Sequence, residues 1–286
     1  MSELSLDLTL EPLDDPSPIL LPRLLVEGEA SEGTHAPSGT LHATAIKRIH
    51  KMDCTVYRAS MVLEAGGDAI PVILKTNLLK PTRADDLARE ARIYAKDAKI
   101  LQTHAIPHFY GAFRGTVAGF PMTCLVLEDC GEPIGGYFSG IDRELAMEIM
   151  KRVLIFHDIG LRHNDLSEEN ILINSDGRTF LIDLEYAQPH VCQRTGDVVA
   201  GSKQPLRHEF GCAEAWEIAR AMHLWTKDYV VLWGSCVPRS VVKTISPESL
   251  ITMAPAWLRE TDEQIAGLIE EAKVAGEQCR AFQFPA

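Results

Sequence analysis

The hydrophobic positions of this chain change rhythm along its length, and the changes mark its organisation. At the start Leu4, Leu6, Leu8 and Leu10 alternate with polar residues, a period of two that fits a short edge strand. Their surroundings are rich in proline and carboxylate, with Arg23 the one lysine or arginine before residue 41. That composition favours a loosely docked or disordered acidic arm over residues 1–40. From residue 41 the pattern is strand-like. Leu41 to Ile49 and Thr55 to Leu63 flank a polar stretch, Gly66-Gly67-Asp68 marks a tight turn, and Ala69 to Asn77 is an apolar run closed by Lys75. A helix is expected after Pro81-Thr82, with Asp85 and Asp86 in its first turn and Leu87, Ala91, Tyr94, Ala98 and Leu101 on one face. Ile106 to Phe113 and Met122 to Leu127 fit two further strands.

After Glu128-Asp129-Cys130-Gly131 the period becomes helical. Leu145, Ile149 and Val153 follow Asp142 at helical spacing, and Gly160 provides the stop. Short apolar runs broken by turns come next, then a helix over Cys212 to Trp225. Ser246-Pro247-Glu248 reads as a cap followed by proline at the first helical position, and Thr261 with Gln264 as a capping box before a last amphipathic helix. The expected class is α+β: a strand-rich half over 41–130, a short hinge, and a mostly helical half over 131–286, with a cleft between two lobes.

Composition narrows the partners. The chain has 286 residues, enough for one large domain or two lobes, and 40 Asp plus Glu against 28 Lys plus Arg give a net charge of -12. A net anion repels phosphate polyanions, which excludes duplex nucleic acid as a main partner. The 7 cysteines are scattered without a CxxC, unlike a disulfide framework or regular zinc-ligand spacing, so they read as small hydrophobes in a reducing compartment. His104, His108 and His157 lack a neighbouring thiol or carboxylate cluster in sequence and read as packed or surface imidazoles. Runs such as Tyr229 to Trp233 are too short to span a bilayer, and MSELSLDLTL has neither a basic nor an apolar leader region. The expectation is a soluble, intracellular, cytoplasmic protein with no membrane partner.

The residues that point to chemistry are an Asp and an Asn in His163-Asn164-Asp165-Leu166-Ser167-Glu168-Glu169-Asn170, and Asp183 enclosed by Phe180-Leu181-Ile182 and Leu184. A carboxylate within an apolar run is costly unless something cationic meets it. Asp165, Asn170 and Asp183 brought to one place would suit magnesium, which takes few protein oxygens and completes its shell with water and phosphate. A carboxylate that is not a ligand can accept the proton of an attacking hydroxyl. Lys75 also needs an anionic partner, either Glu90 or the phosphates of a nucleotide.

Taken in order, these motifs resemble those of the protein-kinase-like phosphotransferases, the superfamily of eukaryotic protein kinases, aminoglycoside phosphotransferases and choline kinases. Val72-Ile73-Leu74-Lys75 is similar to the V-A-I-K strand, Glu90 to the glutamate of the following helix, and Leu125 to Gly131 to the inter-lobe hinge. His163 to Asn170 matches H-x-D-L-x-x-x-N, and Asp183 stands where the D-F-G aspartate would. The resemblance implies a bilobal fold with a small antiparallel sheet lobe carrying one helix, and a larger helical lobe. It implies that Lys75, steadied by Glu90, holds ATP phosphates, and that Val56, Leu127, Glu128 and Cys130 line the nucleotide site. Leu127 would be the gatekeeper, and the Glu128 carbonyl and Cys130 amide would meet adenine. Asp165 would be the catalytic base, His163 would brace its loop, and Asn170 and Asp183 would bind Mg2+. The implied reaction moves the ATP gamma-phosphate to a hydroxyl, of a protein serine or threonine or of a small cationic alcohol.

The pattern also departs from that superfamily. No glycine occurs between Lys51 and Val56, Ile73 replaces the usual alanine, Asn164 replaces the arginine of H-R-D, and no A-P-E follows Asp183. H-N-D followed by I-D-L-E-Y is similar to choline and ethanolamine kinases, with Tyr186, Trp216, Trp225 and Trp233 as aromatic faces for a quaternary ammonium or, more simply, as core. Glu209-Phe210-Gly211-Cys212 and Glu90-Ala91-Arg92-Ile93-Tyr94 resemble divergent fungal kinase-like proteins. The competing expectation is a catalytically inactive scaffold, favoured by the glycine-free turn and Ile73.

Overall fold

The computed structural model describes residues 3–8, 17–25, 40–51, 53–63 and 67–281; Leu10, Gly66 and the side chain of Lys51 lie outside them. By compactness the chain divides into two units, residues 1–137 with 148–192 and residues 138–147 with 193–286.

The first unit is built on a closed barrel. Its strands are β1 (Glu3–Asp7), β2 (Ile19–Leu24), β3 (Thr40–Lys51), β4 (Thr55–Val62), β5 (Ala69–Thr76), β6 (Phe109–Val117) and β7 (Phe120–Glu128), in the spatial order β1-β2-β6-β7-β5-β4-β3. Neighbours are antiparallel except at the closure, where β1 runs parallel to β3 with Leu4 opposite Leu41 and Leu6 opposite Ala43. Alternation along each strand sends one set of side chains inward. Leu4, Leu6, Leu21, Leu41, Tyr57, Met61, Leu74 and Phe113 are among those that fill the interior, each almost wholly removed from water. At about 25 cal/mol per Å2, a fully buried leucine contributes roughly 1.5–3 kcal/mol, so the β1 leucines are a substantial reason for the barrel to close.

This corrects the expected fold. A bilobal protein-kinase-like architecture with a small antiparallel sheet lobe was expected; the sheet is instead a seven-stranded, mixed, closed barrel within an α+β protein. The physical reason lies in the first residues. Leu4 and Leu6 lie in β1 and Leu8 just past it, all three buried, and β1 with β2 bridges the gap that would otherwise leave β3 and β6 as edges. Two glycines of β6 admit β2: a Cβ at Gly115 would lie 2.9 Å from Leu21 Cδ2, and one at Gly111 would lie 2.9 Å from the Arg23 guanidinium. Arg23 uses that space to donate to the Tyr110 carbonyl at 3.2 Å.

Helix α1 (Ala84–Arg92) carries both acids of its first turn and buries Leu87, Glu90 and Ala91. It is tied to β7 by the Thr123 hydroxyl, which donates to Ala84 O at 3.0 Å. Beyond β7 come β8 (Glu132–Pro133), α2 (Arg143–Asp158), β9 (Leu161–Arg162), β10 (Ile171–Ile173), β11 (Thr179–Leu181) and β12 (Gln188–Pro189). A left-handed Gly160, φ +85°, ends the α2 region as expected. Strand β10 pairs with β11, Ile171 opposite Leu181, and β9 pairs with β12.

The second unit holds α3 (Arg207–Phe210), α4 (Ala213–Ala221), the hairpin β13 (Tyr229–Leu232) and β14 (Ser235–Pro238), α5 (Arg239–Thr244), α6 (Pro247–Leu250) and α7 (Asp262–Ala281). Ser246 caps α6 by accepting from the Ser249 amide at 3.2 Å. The capping box of α7 is reciprocal: Gln264 N donates to Thr261 Oγ1 at 3.2 Å and Thr261 N to Gln264 Oε1 at 3.0 Å. Val237, Val242, Leu250, Ala272 and Cys279 form a core of this unit. Trp216 and Trp225 pack against each other there, and Trp225 packs against Phe210. No helix of the described residues is long and apolar enough to cross a membrane.

Candidate active site

Strand alternation decides where Lys75 points. Val72 and Leu74 of β5 face the barrel interior, so Ile73 and Lys75 face outward, toward α1. The same rule puts Val56 outward on β4, opposite Lys75, and Leu127 outward on β7, opposite Ile73. Val56, Ile73, Lys75 and Leu127 therefore share one face.

On that face the Lys75 ammonium meets two carboxylates, donating to Glu90 Oε2 and to Asp183 Oδ1, each at 2.7 Å. Glu90 is wholly buried on α1, and the Asp183 side chain is 34% exposed. Burial alone would lower the lysine's pKa, but the two carboxylates outweigh it and raise it. For Glu90 burial dominates and raises the carboxyl, with Lys75 opposing. For Asp183 burial also pushes upward, but Lys75 prevails and the carboxyl falls below its usual range. The lysine is thus held as a cation and Asp183 as an anion. Glu90 Oε1 is buried without a hydrogen-bond partner among the described residues, so this glutamate depends on a single cation.

The β10–β11 hairpin brings Asp183 and Asn170 together. Ile171 pairs with Leu181, and one step outward the Ile182 amide donates to Asn170 O at 3.0 Å. Asp183, the next residue, adopts a left-handed backbone, φ +62°, as does Asn164 at +67°. Such conformations at non-glycine residues each cost on the order of 1 kcal/mol or more and persist where surrounding bonds impose them. Here Asn164 Nδ2 donates to Tyr186 O at 2.9 Å. His163 clamps the two segments: its Nε2 donates to Ile182 O at 2.9 Å while its Nδ1 accepts the Asp165 amide at 3.3 Å. Those two bonds select the Nε2-protonated neutral tautomer.

Asn170 Nδ2 donates to both the carbonyl and Oδ2 of Asp165, at 2.8 and 2.9 Å. Asp165 is exposed, and its Oδ1 accepts no hydrogen bond among the described residues. The same is true of Asn170 Oδ1 and Asp183 Oδ2. These two oxygens, one amide and one ionised carboxylate, are hard donors of the kind magnesium takes, so the residues present fit that ion.

Other expected site residues are placed as follows. Leu127 and Cys130 are buried, and Glu128 ends β7, donating its amide to His108 O at 2.9 Å and accepting the His108 amide on Oε2 at 2.9 Å. Burial pushes the Cys130 thiol upward. Gly131 follows with φ +100°; a Cβ there would meet Ile173 O at 2.2 Å. Asp53, in the glycine-free turn, is engaged by Lys80 at 2.6 Å. Sequence reasoning missed one pair: Arg83, just before α1, binds the buried Glu185 and also Asp86. A second acid two residues after Asp183 in a mostly apolar run was the available signal, since a buried glutamate requires a cation.

No protein-family model and no curated protein matches this chain. The resemblance to the protein-kinase-like phosphotransferases is therefore corrected on two grounds: the closed barrel is not that superfamily's small antiparallel sheet, and no family match supports it.

Proposed function

We propose that the first unit binds ATP with magnesium and transfers the terminal phosphoryl group to a hydroxyl. The observation that carries this is the convergence of Lys75, Glu90, Asp183, Asn170 and Asp165 from separate elements, with a fixed cation beside ionised and neutral oxygen donors.

The acceptor oxygen forms a bond to the gamma-phosphorus as the bond to the beta-gamma bridging oxygen breaks, and ADP leaves. The hydroxyl proton passes to Asp165 Oδ1, which the exposed loop presents to solvent and acceptor. Asn170 orients that carboxylate through its two bonds, and Lys75 meets the phosphates of the nucleotide. Asn170 and Asp183 would hold magnesium, which would supply charge neutralisation on the transferring group. Val56, Ile73 and Leu127 offer an apolar surface for the base.

A second reading, an inert scaffold, is favoured by two features: Lys75 is already satisfied by two carboxylates, and the turn after β3 has no glycine to bring amides against phosphate. Thermal unfolding with ATP, with and without magnesium, separates the two, because a ligand of the folded state raises the midpoint. No shift in either condition sinks nucleotide binding. Turnover is then measured against serine- and threonine-bearing proteins, choline, ethanolamine and aminoglycosides. Asp165→Asn should lose at least ~10²-fold, and unchanged turnover would remove Asp165 from the mechanism.

A further inference from the structure

We infer that His157, His190 and Cys192 form a zinc site, separate from the residues proposed for phosphoryl transfer. One ligand atom from each lies within 4.8 Å of the others. In a tetrahedral zinc site with bonds of about 2.0–2.3 Å, neighbouring ligand atoms stand roughly 3.5 Å apart, so small side-chain rotations complete the geometry.

The backbone explains the convergence. His157 occupies the last turn of α2 and is buried. The chain then turns at Gly160 into β9, which pairs with β12 so that Pro189 lies opposite Leu161. The next residue, His190, donates its amide to Gly160 O at 2.8 Å, which returns it to the end of α2. The two imidazoles meet edge to face with ring centroids 5.0 Å apart. Beyond His190 the side chains separate by environment: Val191 is 83% exposed, whereas His190 and Cys192 on either side are half-buried. That alternation is what an extended segment produces, and it puts the histidine and cysteine on the same side.

Two imidazoles and a thiolate are donors that zinc prefers, whereas magnesium and calcium demand oxygen. Binding deprotonates the Cys192 thiol, releasing one proton to solvent, and leaves the fourth position of the ion to water or another donor. The ion would fasten the end of α2 to the strand returning from the candidate active site.

The test uses the full chain, stripped with a chelator and titrated with cobalt(II) as a spectroscopic substitute for zinc. The expected result is visible ligand-field absorption with a thiolate-to-cobalt charge-transfer band, saturating at one equivalent and erased by zinc. Cys192→Ser should abolish the charge-transfer band, and His190→Gln should weaken metal binding at least ~10-fold, since even outer partners of metal ligands are worth that much. Cys236→Ser, which removes an exposed thiol, should leave the spectrum unchanged. Absence of the band from the unsubstituted protein overturns the site without recourse to any variant, as does a band that survives Cys192→Ser. Far-UV circular dichroism of each variant separates loss of the ligand from loss of the fold.

Discussion

Lys75→Met is the most informative single change, because it leaves Glu90 buried with no cation. Methionine keeps most of the side-chain volume, so the cost is electrostatic rather than a cavity. Removing one partner of a buried pair costs about 3–5 kcal/mol, because the remaining charge is uncompensated. Glu90 is 0% exposed and supplies nearly all of that cost; Asp183, at 34%, can turn to water. For a cooperative unit of this size the loss corresponds to a fall of roughly 6–20 °C in melting temperature at pH 7.5. The sign of the pH dependence follows from Glu90, whose carboxyl burial already raises and which rises further without Lys75. In the variant the folded state holds the Glu90 proton more tightly than the unfolded chain, whose glutamate ionises near about 4.3. Stability is therefore lost as pH climbs from that value toward the folded pKa. The gap between wild type and variant should narrow as pH falls from 7.5 to 5, and Lys75→Met combined with Glu90→Gln should recover most of the loss. Thermal unfolding followed by circular dichroism reads both. A gap below about 2 °C at pH 7.5, or one that widens on acidification, would refute the reasoning.

Two further outcomes are expected. Gly115→Val places side-chain atoms where Leu21 Cδ2 now stands, so it should destabilise the protein by about 1–3 kcal/mol in urea unfolding; an unchanged midpoint would mean β2 is not held closely against β6. Cys236 is exposed, whereas burial protects Cys54, Cys124 and Cys130 and pushes the Cys54 thiol up to about 11. Thiol labelling at pH 7.5 should show a fast class that Cys236→Ser removes, with those three cysteines reacting only on denaturation.

The strands from β3 to β7 and the starts of α6 and α7 were legible because their signals are local: alternation, a proline at a first helical position, a Thr–Gln capping box. Closure of the barrel was not. Strand β2 contains Pro22, which counts against a strand, and its partner β6 lies far along the chain, so nothing near Ile19 announces the pairing. An acidic, proline-rich composition outweighed the Leu4, Leu6 and Leu8 alternation, although that alternation proved decisive for the sheet. In the candidate site, an acid inside an apolar run pointed to Asp183 and its need for a cation, and the structure supplies Lys75. The histidine and cysteine cluster has no local signature in the sequence, because its members come from a helix end and a distant extended segment. Their meeting depends on the β9–β12 pairing, which two-residue strands leave almost no trace of in sequence.

The order in which the barrel strands leave the ribosome differs from the order in which they can be completed. Ile19–Leu24 is synthesised early, yet one of its two neighbours, Phe109–Val117, emerges only after the intervening hairpins and α1. Until then the nascent chain must carry Leu4, Leu6 and Leu21 without their final shelter, a long-range debt that slows folding and invites association between chains.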